Sequence, residues 1–148
     1  MSASYIPEGY HSVTPYIMAK DADETIEFLK KTFDATEKEL IRTPEGRVGH
    51  GEIRIGDSII MLAEASEKYP FHPSSLYIYV ENVDDNYKRG IAAGGESMRE
   101  PTDEFYGDRS AGLKDASGNQ WWMATHKKTV SHEVMQDEYV KMRQEQQN

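Results

Sequence analysis

The chain has 148 residues, of which 37% are hydrophobic and 29% charged, with a net charge of −9 at pH 7 and no cysteine. This size favours one domain, and the missing cysteines exclude disulfide frameworks and thiolate metal sites and fit a reducing, cytoplasmic location. The negative charge argues against nucleic acid as a partner, because phosphate repels such a surface. A membrane partner is not expected either, since no apolar run approaches the roughly 20 residues of a membrane span and the N-terminus lacks a secretory signal.

The first half of the chain predicts a strand, a helix and three further strands. Asp21 or Asp23 offers an N-cap for the helix, which buries Ile26, Leu29 and Phe33 at helical spacing. Alternation places Val13 and Ile17 on the face toward the helices. Turn residues such as Pro44-Glu45-Gly46 separate the predicted strands, which are residues 10–19, 37–43, 47–55 and 58–63.

The same order of elements recurs after a linker over residues 66–74. Tyr16-Ile17 in the first half and Tyr77-Ile78 in the second are 61 residues apart. A repeat of this length indicates two copies of one supersecondary unit, a βαβββ module, at about residues 10–65 and 75–126. The predicted fold class is α+β. Neither copy buries its apolar face alone, so a ligand site is expected where the copies meet.

A C-terminal helix is predicted over about residues 131–146. Ser131 supplies its cap, and Met135, Tyr139 and Met142 share one face. This stripe should pack on the domain or on a second subunit.

Three segments resemble a known superfamily. YGDRSAGLKDASGNQWWMATH, HGEIRIGDSIIML and VSHEVM are similar to the PhnB-like branch of the vicinal oxygen chelate superfamily, which includes glyoxalase I, bleomycin- and fosfomycin-resistance proteins and extradiol dioxygenases. The resemblance extends over about residues 11–142. It implies two tandem βαβββ modules that form a curled, barrel-like sheet with a cleft, and a homodimer with the cleft near the subunit contact.

The resemblance also locates four positions where metal-using members carry His or Glu. Here they hold Thr14, Met61, Ser75 and Trp122. None is a strong ligand for a hard divalent ion, so neither a metal nor any other cofactor is expected, and no catalytic residue is assigned. His50 and Glu52 lie two apart on a predicted strand and form an alternative ligand set, although an exposed strand face explains them as well.

Strand alternation predicts the residues that line the cleft. The main candidates are Thr14, Tyr16, Met61, Ser75, Tyr77 and Trp122, and the same alternation includes Met18, Ile59, Ala63, Tyr79, Gln120 and Ala124. An aromatic lining with a few hydroxyls suits a flat or cationic organic molecule, which rings bind by stacking and cation–π contact. The same side chains could instead fill the cleft as core.

Arg109 is a further candidate for the cleft. Alternation through Arg109, Ala111 and Leu113 could direct its guanidinium inward, where it would hold an anionic group bidentately. Pairing with Asp108, Glu104 or Asp115, which would fix the loop, is the preferred role.

These observations predict a metal-independent small-molecule-binding protein of the drug-sequestration type. Two alternatives stay open: a divalent-metal-dependent lyase or isomerase of the glyoxalase type, and a structural or regulatory dimer without ligand. Nucleotide-binding fingerprints and a GxSxG nucleophile motif are absent from the sequence.

Overall fold

The computed structural model describes residues 3–147 as two four-stranded sheets and three helices. The first module contains β1 (Tyr16–Ala19), α1 (Ala22–Phe33), β2 (Thr36–Arg42), β3 (Val48–Ile55) and β4 (Ser58–Glu64). The second contains β5 (Ser75–Tyr79), α2 (Val83–Ala92), β6 (Glu96–Asp103), β7 (Asp108–Lys114) and β8 (Gln120–His126), and α3 (His132–Gln146) follows. The predicted α+β fold with two βαβββ modules is confirmed.

Both sheets have the same topology. Their strand orders are β1-β4-β3-β2 and β5-β8-β7-β6. In each sheet the first and last strands of the module pair in parallel, and the remaining pairs are antiparallel. The register places Tyr16 opposite Met61 and, at the equivalent place in the second module, Tyr77 opposite Trp122.

The helix ends follow from the local sequence. The Asp21 side chain accepts a hydrogen bond from Glu24 N at 3.1 Å, which confirms Asp21 as the cap of α1. In α2 the Asn82 side chain plays the same part, and the chain leaves the helix through Gly94 at φ 99°. Glycine adopts this left-handed conformation without the steric cost that a Cβ would add.

The two modules share one core on the helix-facing sides of their sheets. Trp121 of β8 is fully buried, with its ring centroid 6.5 Å from that of Phe28 and 6.4 Å from that of Phe33, both on α1. Its Nε1 donates to Asp115 Oδ2 at 2.9 Å, so the indole nitrogen is satisfied inside the core. A helix of the first module thus packs against a strand of the second.

Polar contacts between the helices reinforce this junction. The Asn86 side-chain amide donates to the Thr32 carbonyl at 2.8 Å, and Arg89 forms a two-point ion pair with Asp34. The helix-facing sides of both sheets are therefore buried in one shared core, and the opposite faces lie outside that core.

The prediction for the first strand is wrong at its start. Strand β1 begins at Tyr16 rather than at residue 10, and Val13 is 83% exposed instead of facing the helices. Proline cannot donate to a sheet ladder, and Pro15 contributes only its carbonyl, which accepts from Met61 N at 2.9 Å. The preceding segment stays outside the sheet.

Helix α3 is peripheral. Its cap is Ser131, as predicted, but none of its residues is buried. Tyr139 makes a ring contact with Phe105, with the centroids 6.2 Å apart. Among residues 3–147, no helix combines the length and apolarity needed to span a bilayer.

Candidate functional site: two aromatic faces and the groove between the modules

The face of the second sheet that turns away from the helices carries aromatic side chains. Tyr77 is 44% exposed and Tyr79 is 63% exposed. Their rings meet edge to face with centroids 5.4 Å apart, and the half-buried Trp122 lies across the strand pair from Tyr77. We call Tyr77, Tyr79 and Trp122 the second aromatic face.

A buried carboxylate holds this face in place. Asp108 is 4% exposed, and its Oδ2 accepts from the Tyr77 hydroxyl at 2.9 Å and from the Tyr79 hydroxyl at 3.1 Å. Its Oδ1 lies 2.7 Å from His126 Nδ1. One carboxylate therefore fixes two rings and an imidazole from two other strands.

The electrostatics of the cluster follow from these bonds. Burial raises the pKa of Asp108, but the hydrogen bonds from His126, Tyr77 and Tyr79 lower it more, and the net pKa lies below the usual value. Burial, together with bonds to Tyr106 and Asp108, raises the pKa of Tyr77 far above that of a free phenol. The tyrosine therefore remains a neutral donor, and the aspartate is its ionised acceptor.

The first sheet carries a comparable cluster. The Tyr16 hydroxyl lies 3.2 Å from His50 Nδ1, and His50 Nε2 lies 2.9 Å from Glu52 Oε2. The Tyr10 hydroxyl also donates to Glu52. Tyr16 and Tyr77 occupy equivalent places in the two modules, so each module presents tyrosine, histidine and carboxylate on its outer face.

An open groove of about 560 Å³ runs between the modules. It follows the free edge of β5, where Tyr77 and Tyr79 meet the β3–β4 turn and the segment before β1. Its apolar lining residues include Val13, Ile59, Ile60, Leu76 and Ile78. The volume falls within the range of sites for small organic ligands, about 300–1,000 Å³.

The predicted site residues divide between the two sheets. Tyr16 and Met61 form one cross-strand pair, and Tyr77 and Trp122 form the other. Thr14 is half-buried just before β1, and Ser75 is exposed at the start of β5. Of these residues, only Tyr77 lines the groove between the modules. Tyr16 lines a separate depression of about 530 Å³ on the first sheet.

Arg109 lies on the side of the second sheet that faces α2. Its Nε and Nη2 donate to the two carboxylate oxygens of Asp84 at 2.9 and 3.0 Å, and its Nη1 donates to Asp103 at 3.3 Å. The hydrogen bonds with these carboxylates raise the pKa of Arg109. Pairing with a carboxylate is thus confirmed, but the predicted partners Asp108, Glu104 and Asp115 are wrong, because Arg109 points toward the start of α2. Because neighbours in a strand point to opposite faces, Asp108 occupies the outer face and Arg109 does not.

Metal-ligating side chains occur in pairs. His50 with Glu52 and His126 with Asp108 are the two pairs on the outer faces. Within the described residues 3–147, no three His, Cys, Asp or Glu side chains come together as a group that could hold a metal ion.

The roles of Asp108 and His126 were missed in the sequence. The signal that locates them is the turn from Asp115 to Asn119. A hairpin centred on this turn pairs Asp108 with His126, as the register of β7 and β8 shows. Alternation along β7 then separates Asp108 from Arg109.

Comparisons with known proteins agree with this architecture. TioX from Micromonospora sp. ML1 has a TM-score of 0.66 at 23% identity, over 78% of this chain and 98% of that one. A protein from Bacillus cereus described as a putative 3-demethylubiquinone-9 3-methyltransferase, PhnB protein, has a TM-score of 0.62 at 20% identity, over 78% and 99%. TnmS3 from Streptomyces sp. CB03234, described as an antibiotic binding protein, has a TM-score of 0.63 at 17% identity, over 86% and 99%.

At these identities the structural matches show a shared fold. The sequence itself matches the family model for the Glyoxalase/Bleomycin resistance protein/Dioxygenase superfamily over residues 9–123. The match covers most of both βαβββ modules, and the chain therefore belongs to this superfamily.

Proposed function

We propose that the protein binds a small aromatic or cationic organic molecule without a metal ion. The ligand would lie in the groove between the modules, against the second aromatic face. The observation that carries the proposal is that Tyr77 and Tyr79 line the groove while the buried Asp108 holds both rings in position.

The fixed rings favour binding because they are ordered before the ligand arrives. A side chain that is immobilised only on binding costs about 0.5–1.5 kcal/mol in lost conformational freedom. Hydrogen bonds to Asp108 have already restricted Tyr77 and Tyr79, while large fractions of both rings remain exposed. A planar molecule could stack on these rings and cover the apolar wall formed by Leu76 and Ile78.

The charge of the site favours a cation over an anion. Asp108 is an ionised carboxylate behind the rings, Asp57 lies in the groove lining, and the chain carries a net charge of −9. The negative faces of the tyrosine rings attract a cation further. The description of TnmS3 as an antibiotic binding protein supports a binding role for this fold.

A second candidate function is a divalent-metal-dependent lyase or isomerase. The observation in its favour is the His50–Glu52 pair, 2.9 Å apart and joined by Tyr16 on the first outer face. A metal there would need ligands beyond these two, from the substrate or from a second subunit. Stoichiometric zinc, nickel or manganese in the purified protein would favour this candidate over the first.

We infer that the protein forms a homodimer. Each module leaves its aromatic outer face open, β1 and β5 are edge strands, and Val134, Tyr139 and Val140 of α3 are 44–50% exposed. A second copy would cover the edge of β1 and the exposed side chains of α3 and leave the second aromatic face to the ligand. Sedimentation equilibrium should give about twice the chain mass of 16.9 kDa, and a single-chain mass at all concentrations would contradict the inference.

Planar aromatic cations should stabilise the protein in a thermal-shift panel. We expect proflavine and ethidium to raise the melting temperature. Choline, which lacks a ring, and fosfomycin, which is anionic, should raise it less. A ligand at 100 times its dissociation constant adds about 2.7 kcal/mol of stability. EDTA should leave the proflavine affinity, measured by calorimetry, unchanged.

Variants locate this binding. Tyr77→Ala should weaken proflavine binding about tenfold, or about 1.4 kcal/mol, because a stacking surface is lost. Tyr5→Ala is the matched control, since Tyr5 is 91% exposed and lies outside the groove lining. Failure of every aromatic cation to stabilise the protein, or equal losses in both variants, would contradict the proposal.

The carboxylate that orders the rings should also contribute pH-dependent stability. The pKa of Asp108 in the folded protein lies below its usual value of 3.8, so its contribution is complete above that value and is lost as the pH falls through the lowered pKa. Asp108→Asn should reduce the free energy of unfolding at pH 7 by about 1–3 kcal/mol, because Tyr77, Tyr79 and His126 lose the charged acceptor that Asp108 provides.

Urea unfolding at pH 7 and at pH 3 measures the effect. The difference in the free energy of unfolding between wild type and Asp108→Asn should be smaller at pH 3 than at pH 7. Glu45→Gln, at an exposed turn position, should stay within about 0.5 kcal/mol of wild type. A difference for Asp108→Asn that is equal at both pH values would show that its carboxylate charge contributes nothing.

A further inference from the structure

A chain of three polar side chains lies at the end of the second sheet. Asp108 Oδ1 is 2.7 Å from His126 Nδ1, and His126 Nε2 is 3.3 Å from Thr129 Oγ1. Asp108 is buried, whereas the His126 side chain is 50% exposed. The order carboxylate, imidazole, hydroxyl therefore runs from the interior to the surface.

The carboxylate determines which imidazole nitrogen carries the proton. Asp108 already accepts hydrogen bonds from Tyr77 and Tyr79, and an ionised carboxylate offers only acceptors. Nδ1 of His126 must then be the donor to Asp108, and the lone pair of the neutral ring lies on Nε2. A histidine whose tautomer is set in this way is oriented to accept a proton.

The backbone holds this imidazole in place. Lys127 N and Lys128 N both donate to the Gly107 carbonyl, at 2.9 and 3.1 Å, so the chain turns sharply after β8. At Gly107 a Cβ would lie 1.9 Å from the Lys128 carbonyl oxygen, and the φ of 98° also favours glycine. The position of His126 is thus fixed by backbone contacts on one side and by Asp108 on the other.

Open space lies beside Asp108 and beside the two residues that follow His126 in the chain. A depression of about 440 Å³ is lined by Asp108, Lys127 and Lys128. Asp103 and Glu104 also line it, but they pair with arginines outside the depression. The two lysines would stabilise negative charge that develops on a molecule as it loses a proton.

We propose that His126 is a general base, and that the second aromatic face presents to it an aromatic molecule with an acidic C–H or O–H group. The proposal rests on the proposed binding function, because the rings supply the surface on which such a molecule lies. Tyr77 and Tyr79 bond the same carboxylate as His126, so the rings and the base belong to one cluster. Asp108 acts as a positioning residue, and the long bond from Thr129 is the one that a substrate replaces.

The reaction that tests this proposal is the ring opening of 5-nitrobenzisoxazole, a flat aromatic probe. Nε2 of His126 takes the proton from C3, the C–H electron pair completes the nitrile, and the N–O bond breaks to leave 2-cyano-4-nitrophenolate. The imidazolium then returns its proton to water. The reaction needs no oxidant, reductant or metal, and absorbance of the coloured phenolate follows it.

The kcat/KM of the protein for this reaction should exceed the second-order rate constant of free imidazole at the same pH. His126→Gln should lower kcat/KM by about 10²-fold or more, since a positioned base contributes about 10²–10⁴-fold. Free imidazole should partly restore the rate of His126→Ala, which a merely structural role would not allow. His72→Gln, at an exposed position in the linker, is the matched control and should match wild type.

Asp108→Asn tests the positioning role. The amide can support either tautomer, so kcat should fall. KM should rise as well, because Tyr77 and Tyr79 lose the charged acceptor that orders them, so the tautomer of His126 is the readout specific to positioning. Two-dimensional ¹⁵N spectra of the His126 ring should show the Nδ1–H form in wild type and a mixture of tautomers in the variant. An unchanged kcat together with an unchanged tautomer would remove Asp108 from the proposal.

Binding and catalysis are measured separately, so the two proposals can be told apart. Calorimetry with 6-nitrobenzotriazole, an unreactive analogue, reports binding alone. Binding without turnover above free imidazole overturns the general-base inference and leaves the binding function intact. Absence of both overturns the inference and also counts against the binding function, and turnover that persists in His126→Gln assigns the base to another group.

Discussion

Burial of Trp121 is the constraint on which the rest of the molecule depends. Its indole lies between strand β8 of the second module and two phenylalanines of helix α1 from the first, and its nitrogen is satisfied by Asp115. A large aromatic side chain that is completely removed from water contributes about 1.5–3 kcal/mol or more. Because this core buries the helix-facing sides of both sheets, the opposite faces are the ones available for binding.

On the outer face of the second sheet, one carboxylate holds the polar side chains together. Asp108 joins tyrosines of β5 to a histidine of β8, so strands from both ends of the module converge on it. Its neighbour Arg109 points the other way and ties β7 to the start of α2 through Asp84. Two adjacent residues of one strand thus contact different sides of the sheet, Asp108 the outer aromatic face and Arg109 the side of helix α2.

Much of the fold could be predicted from the sequence, because it depends on local patterns repeated twice. Helical spacing at Ile26, Leu29 and Phe33 identified the buried face of α1, and its start was predicted at Asp21 or Asp23, of which Asp21 is the cap. The start of the first strand differs from the prediction because β-branched and aromatic residues before Pro15 resemble a strand, although Pro15 has no N–H to donate to the sheet. The start of β1 is therefore set by its pairing with β4 and not by the strand propensity of the residues before it.

The candidate site could be predicted only in part, for a similar reason. Alternation within single strands placed Tyr77 and Trp122 on one face, and the register agrees. The cluster around Asp108 depends on side chains from β5, β7 and β8 together, which no single segment reveals. Arg109 was predicted for the cleft because a guanidinium often binds anions. Whether Arg109 or its neighbour Asp108 points outward depends on the register of the β7–β8 hairpin.

The most direct test of a metal-independent ligand site on the second aromatic face uses the two indole N–H signals of the protein. Trp121 is buried in the core, and Trp122 is half-buried on the aromatic face, with its Nε1 3.3 Å from the Gln120 side chain. Trp122 lies opposite Tyr77, which lines the groove, so proflavine stacked on Tyr77 in the presence of EDTA should shift the Trp122 signal, assigned with Trp122→Phe, and leave the Trp121 signal in place. A Trp122 signal that stays unmoved at saturating proflavine would contradict the account.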